Sequence, residues 1–469
     1  MKPESPVYIT DRKILADKKS QSALEYMMTY GWAILIIVIV AAVLYSLGIF
    51  NPSASIFASV NGFGGLGSVT ASCISNYGLV LKLGDALGVP LNISTVIVTT
   101  SNGTRLVADV PTAGIIVNAG SMVPVFISNA CPSTGVHYSL DIIVNYSEIG
   151  VAFAGPYSSS GVASGTGVNR PVQVLANISV GTHPHTVTYY PVNGNLYIVN
   201  NGIGTISVIS SFTNAVVNTI KVYNASPISA VYVPTDRDFY VTYSAGANIS
   251  VITPSGSLVT TIKTGEETWG AVLDSQNKLL YVGSRNSSKV FIINTSTNAI
   301  VAEPALPAAL TSGTWSTAAY DPANGDIYVP IGNKLVTTVI SGVTPTENIT
   351  GAGWNDGVYD PKNGYVYFAT WAFNSTAVID PLTSSTIANI SLGPCCASNV
   401  AYDPSDGNIY TSEWGTNSIF VISNSNVIIN NISMPFPNAD PLRLTYDPIN
   451  GLLYAGLYNQ SKVIVLGLP

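Results

Sequence analysis

Charge is what this 469-residue chain has least of. Asp, Glu, Lys and Arg make up 9% of it, against the usual quarter. Net charge is −7, and no basic run occurs beyond the first 19 residues. Without such a run the chain lacks the phosphate-neutralising contacts that hold nucleic acid, so nucleic acid is excluded as a partner. Histidines number three and cysteines four. No Cys/His spacing suits zinc, and there is no nucleophile elbow, phosphate loop or HExxH pair. The reading is therefore a non-enzyme with no cofactor. Few carboxylates also leave few groups to titrate in acid, so an acidic exterior is expected.

What is present begins with one long apolar stretch. Lys18-Lys19-Ser20 leads into residues 21–50, which carry a single charge, Glu25; the next charged residue is Lys82. At about 1.5 Å per residue, roughly 30 helical residues reach about 45 Å, enough to cross a bilayer. Asn51-Pro52 ends the helix, since proline cannot continue its hydrogen bonds. Lys2, Arg12, Lys13, Lys18 and Lys19 precede it. The positive-inside rule then keeps the N-terminus cytoplasmic and places the rest outside. A lone carboxylate one turn into such a helix needs a partner. No small-x-small cleavage site follows, which disfavours a secretory signal peptide.

The run Lys18-Lys19-Ser20-Gln21-Ser22-Ala23-Leu24-Glu25-Tyr26 resembles the class III signal of archaeal type IV pilins. The resemblance implies that a prepilin peptidase removes residues 1–20, cutting between Ser20 and Gln21. It also implies that Glu25, fifth in the mature chain, meets the new N-terminal amine of a neighbouring pilin subunit. Ser20 departs from the usual Gly or Ala before the cut. The plainer alternative is an ordinary N-terminal membrane anchor.

Residues 51–168 read as a small β-sandwich head. Apolar runs at 79–83, 95–98, 115–117, 123–127 and 140–144 alternate with turn signals. A β head straight after the helix again resembles archaeal pilins. Pro156 to Asn169 is rich in Ser and Gly, and reads as a last strand plus hinge or as a flexible linker. From 169 to 469 the chain repeats. A Y-D-P-x-N-G-x-x-Y unit starts at Tyr189, Tyr232, Leu273, Tyr320, Tyr359, Tyr402 and Tyr446, with spacings of 43, 41, 47, 39, 43 and 44 residues. Seven copies read as a seven-bladed β-propeller with four strands, a to d, per blade. Proline presets φ in the a–b turn, while Asn and Gly accept positive φ. The seventh copy lacks strand d, and residues 174–181 form a spare strand that would supply it. The fold class is thus mainly β: an N-terminal hydrophobic α-helix, a β-sandwich head and a C-terminal propeller. The repeat resembles the YVTN/NHL-type propellers of archaeal surface proteins, which speaks to fold and not to function.

Thirteen Asn-x-Ser/Thr sequons mark candidate glycosylation sites: Asn92, Asn102, Asn145, Asn177, Asn224, Asn248, Asn286, Asn294, Asn348, Asn374, Asn389, Asn431 and Asn459. Asn177, Asn348, Asn389 and Asn431 recur in strand d, the outer rim. Cys73 and Cys131 share one domain and are expected to bridge, as disulfides persist outside the cell. Cys395-Cys396 reads as a vicinal disulfide or as two buried thiols. Five tryptophans map to one face: Trp269, Trp315 and Trp354 in d–a loops, Trp371 and Trp414 in b–c loops. His183 and His185 belong there too. This is a candidate binding face for glycans or surface proteins; packing between blades is the alternative. His183 and His185, and the aspartates Asp321, Asp360, Asp403 and Asp447, read as loop residues and turn caps in preference to metal ligands. The functional expectation is a pilin-like filament subunit, made as a membrane precursor, whose propeller mediates adhesion at the cell surface. The alternative is a membrane-anchored extracellular propeller enzyme or solute-binding protein that does not polymerise.

Overall fold

The computed structural model describes residues 30–31, 34–40 and 59–467, except 76, 224–225, 285–286, 288, 307–316, 332–334, 354 and 395. Residues 1–57 and 58–469 form two compact units. In the first, residues 30–31 and 34–40 are helical and exposed. Among the described residues no helix is long and apolar enough to cross a membrane. Most of the expected 21–50 helix, with Ser20, Gln21 and Glu25, lies outside the described residues.

The second unit is mainly β. Its first part holds two antiparallel sheets. One runs Ser59–Gly62, Tyr157–Thr166, His137–Glu148, Leu91–Thr99, with Arg105–Val107 and Ile115–Val117 both paired to Leu91–Thr99. The other runs Val69–Ile74, Gly78–Gly84, Met122–Ser128. His137–Glu148 alternates as a half-buried strand should, with Tyr138, Leu140, Ile142 and Val144 inward. These pack on Leu79, Leu81 and Leu83 of the smaller sheet in one shared core. The Ser/Gly-rich stretch is no linker. Tyr157–Thr166 pairs with His137–Glu148 over ten positions, from Tyr146↔Tyr157 to His137↔Thr166.

Seven four-stranded antiparallel sheets make up the rest of the described unit. Sheet 1 is built from Pro184–Tyr190 (a), Asn195–Asn200 (b), Thr205–Ser210 (c) and Ala215–Lys221 (d). The others follow the same order, starting at Pro227, Thr268, Ala319, Gly357, Ala397 and Pro441. Sheet 7 takes its fourth strand from upstream: Gln173–Ser179 pairs antiparallel with Lys462–Gly467. Strands b and c are buried on both faces, whereas d exposes alternate residues.

The motif residues have defined tasks. The aspartate Oδ1 accepts the N–H two residues on, as in Asp360 to Lys362 (2.8 Å) and Asp403 to Ser405 (2.8 Å). That is an Asx-turn, and it closes the a–b connection locally. The second tyrosine is buried, and its hydroxyl donates to the c–d turn of the next sheet. Tyr197 reaches Pro254 O (3.1 Å), Tyr367 reaches Asn426 Oδ1 (2.6 Å), and Tyr454 of sheet 7 reaches Asn214 Oδ1 of sheet 1 (2.6 Å). The motif asparagine steadies the same hydroxyl: Asn450 Nδ2 lies 2.8 Å from Tyr454 Oη. A second set of links joins successive a strands. Thr186 donates to Ile228 O (2.6 Å), Ser398 to Pro441 O (3.1 Å) and Thr445 to Val187 O (2.6 Å).

The two parts share a core. Ile449, from the a–b turn of sheet 7, is fully buried in the head's apolar cluster, and Tyr189 and Phe212 pack against it. Main-chain bonds fix the joint: Phe126 N–H to Ile449 C=O (2.7 Å) and Ala113 N–H to Val192 C=O (2.9 Å). Gly451 (φ +70°) lets the head approach, because a Cβ there would sit 2.6 Å from the Phe126 ring.

Candidate functional site

Four rings form a continuous arc at the b–c end of the sheets. His183 stacks on Tyr458 with ring centroids 4.5 Å apart. Tyr458 lies 5.8 Å from Trp414, and Trp414 meets Trp371 edge-on at 5.2 Å. The arc therefore crosses sheets 1, 7, 6 and 5 in turn. Tyr458 and Trp371 each open a short 3-10 turn whose C-cap, Ser461 or Asn374, is left-handed. All three b–c rings, Trp414 included, are half-buried. Trp371, Trp414 and Tyr458 each stand 12 residues after the first tyrosine of their repeat. Reading for tryptophan alone missed Tyr458; the shared position in the repeat was the signal.

The arc is held from beneath. Asp440 accepts hydrogen bonds from Asn459 and from the Trp414 indole. Burial raises the Asp440 carboxyl above its usual range, and those two bonds oppose the rise. Asn374 Oδ1 caps the N–H of Cys396 at 2.8 Å. Asn417 ties down the loop after sheet 6, accepting from Ala439 N–H (2.8 Å) and donating to Phe436 O (2.6 Å). A rigid, half-exposed aromatic surface fringed by uncharged amides can take apolar faces and hydroxyls together.

The chain matches no protein-family model and no curated protein.

The predicted tryptophans divide. Trp371 and Trp414 come together in the arc; Trp315 and Trp354 lie outside the described residues. Trp269 falls inside strand a of sheet 3, Thr268–Asp274, and not in the d–a loop, and it meets His185 edge-on at 5.9 Å. His185 likewise belongs to strand a of sheet 1. The residue is half-buried, and desolvation of its ring followed by the nearby Arg443 charge lowers its pKa to about 3, so it stays neutral. His183 joins the arc. Asp321, Asp360, Asp403 and Asp447 each bond their own turns.

Cys73 and Cys131 are joined by a disulfide, Cα atoms 5.5 Å apart. Cys396 is disulfide-bonded and left-handed (φ 74°), and Cys395 lies outside the described residues. Asn177, Asn348, Asn389 and Asn431 are all exposed on strand d. Asn102 is exposed in a turn; Asn92, Asn145, Asn248 and Asn294 are half-buried. Asn374 and Asn459 hold the arc as described. Asn224 and Asn286 lie outside the described residues.

A second feature escaped the sequence entirely. Arg443 of sheet 7 forms a two-pronged ion pair with Asp356, Nε to Oδ2 at 2.8 Å and Nη2 to Oδ1 at 2.9 Å. Asn399 Nδ2 (2.9 Å) and Thr317 N–H (2.7 Å) complete the carboxylate's shell. The four residues come from the first strands of sheets 7 and 6 and from the segments just before sheets 5 and 4.

Proposed function

We propose that the chain is an archaeal type IV pilin-like surface subunit whose C-terminal part is a closed seven-bladed propeller used for adhesion. Ring closure is supported by links from sheet 7 back to sheet 1: Thr445 to Val187 O and Tyr454 to Asn214. Filament membership rests on the Lys18–Tyr26 signal and Glu25. In this reading a prepilin peptidase releases Gln21 as the new N-terminus. The helix passes from the membrane into a filament core, with Glu25 against a neighbouring subunit's amine. Glycans on the four strand-d asparagines coat the outer rim.

The observation that carries the adhesive role is the aromatic arc. Three successive repeats put an aromatic at one equivalent position, and the rings touch one another and His183. Half-exposed aromatics of this kind are enriched where proteins bind partners. N-terminal sequencing of the mature protein together with electron microscopy tests the filament. A start at Gln21 in sheared fibres is expected; an intact Met1 with no fibres overturns it. Trp371→Ala with Trp414→Ala tests the arc. Expected is an unchanged circular-dichroism spectrum with attachment to cells reduced at least about tenfold. Full attachment by the folded variant refutes it.

A further inference from the structure

A cavity of about 470 Å³ lies among the first strands of the sheets. Residues from strand a of sheets 1, 2, 3, 5, 6 and 7 line it, with Thr317 and Asp356 from the segments ahead of sheets 4 and 5. Its size falls within the range of small-molecule sites. Asp356 and Arg443 are both among its lining residues, and as an ion pair they cancel in charge. Asp356 accepts from two guanidinium nitrogens, Nε and Nη2, from Asn399 and from the Thr317 amide. A carboxylate so surrounded has little left for a cation. The arginine is likewise committed, its Nη1 also lying 3.3 Å from Thr186 Oγ1.

The walls are hydroxyls already used as donors. Thr186, Thr188 and Thr445 give their protons to Ile228, Ala230 and Val187 carbonyls. A hydroxyl that donates keeps two lone pairs as an acceptor. Tyr189 and Tyr232 contribute ring surface at the a–b end of the same cavity. Among the described residues the lining thus offers acceptors and aromatic faces, with no net charge. A ligand that matches must be uncharged and rich in O–H donors.

We propose that this cavity binds a neutral sugar ring, either a free monosaccharide or the terminal residue of a glycan. This is separate from the aromatic arc and does not depend on the adhesive reading of it.

The test uses the full chain in detergent micelles, titrated calorimetrically with glucose, galactose, mannose and N-acetylglucosamine. Their methyl glycosides, glucosamine and gluconate are run beside them. Saturable binding of at least one neutral sugar is expected. Its charged analogue should bind at least about tenfold more weakly, because a charge desolvated in a neutral cavity has no counter-ion. Thr188→Val preserves shape and removes one of the lining's acceptor oxygens; the variant, checked for wild-type folding by circular dichroism, should bind about tenfold more weakly. Equal affinity for sugar and methyl glycoside identifies glycan ends as the source; preference for the free sugar identifies a solute. Absence of saturable binding by every neutral sugar overturns the proposal. So does equal affinity for charged analogues, or an unchanged affinity in the folded Thr188→Val variant.

Discussion

Replacing Asp447 by Asn should reshape the pH dependence of stability. Asp447 begins the a–b turn of sheet 7, directly at the joint with the head, and is fully buried. Burial, with a smaller push from the head's Asp109, raises its carboxyl from an ordinary 3.8 to about 7. In the unfolded chain the group ionises near 3.9, so between pH 4 and 7 the folded state holds a proton that the unfolded state has released. Stability from this residue is therefore whole below about pH 4 and falls as pH rises through 7. A rise of about three pKa units at about 1.4 kcal/mol per unit gives a loss of about 4 kcal/mol. Asn keeps an oxygen for the Ile449 N–H, which lies 3.0 Å from Asp447 Oδ1, and removes the titration. Urea unfolding followed by tryptophan fluorescence at pH 3, 5 and 8 measures the effect. The difference between Asp447→Asn and wild type should move about 4 kcal/mol in the variant's favour from pH 3 to pH 8. A difference that stays constant across that range refutes the reasoning. Asp403, buried one repeat earlier and likewise raised by burial, tilts both proteins in the same direction and cancels in the comparison.

Three further outcomes are expected. Arg443→Met should lower stability by about 3–5 kcal/mol by leaving Asp356 charged and buried, and Arg443→Met with Asp356→Leu should recover most of it; thermal unfolding of both decides. Cys73→Ser with Cys131→Ser opens a disulfide spanning 58 residues and should cost about 2–5 kcal/mol, read from urea midpoints with and without reductant. Mass spectrometry of the protein from its native source should find glycans on the exposed Asn389 and Asn431; unmodified asparagine at both positions would contradict the proposed coating of strand d.

Much of the repeat region could be read in advance because its signals are local. Asp-Pro-x-Asn-Gly and its variants each close a turn within five residues, so seven turns fixed seven strand pairs and their spacing. The spare strand, read at 174–181 and found at Gln173–Ser179, was legible for the same reason: the last repeat was visibly one strand short. Boundaries were less secure. Trp269 and His185 were placed in loops, yet both fall within strand a, where the ladder extends past the apolar run.

The order of the strands within each repeat and the alternation of buried and exposed residues followed from the amino acids themselves. Each depends on neighbours in the chain or on a period of two. Partners far apart did not follow. Arg443 and Asp356 are 87 residues apart, and nothing in either neighbourhood announces the other. Ile449 looks like any turn residue until the head closes over it. Tyr458 joins the tryptophans only because three sheets pack side by side and bring equivalent turns within ring contact. Periodic patterning specifies what each sheet is; which side chains meet between sheets depends on the packing angle and depth of whole elements, and only the folded chain decides that.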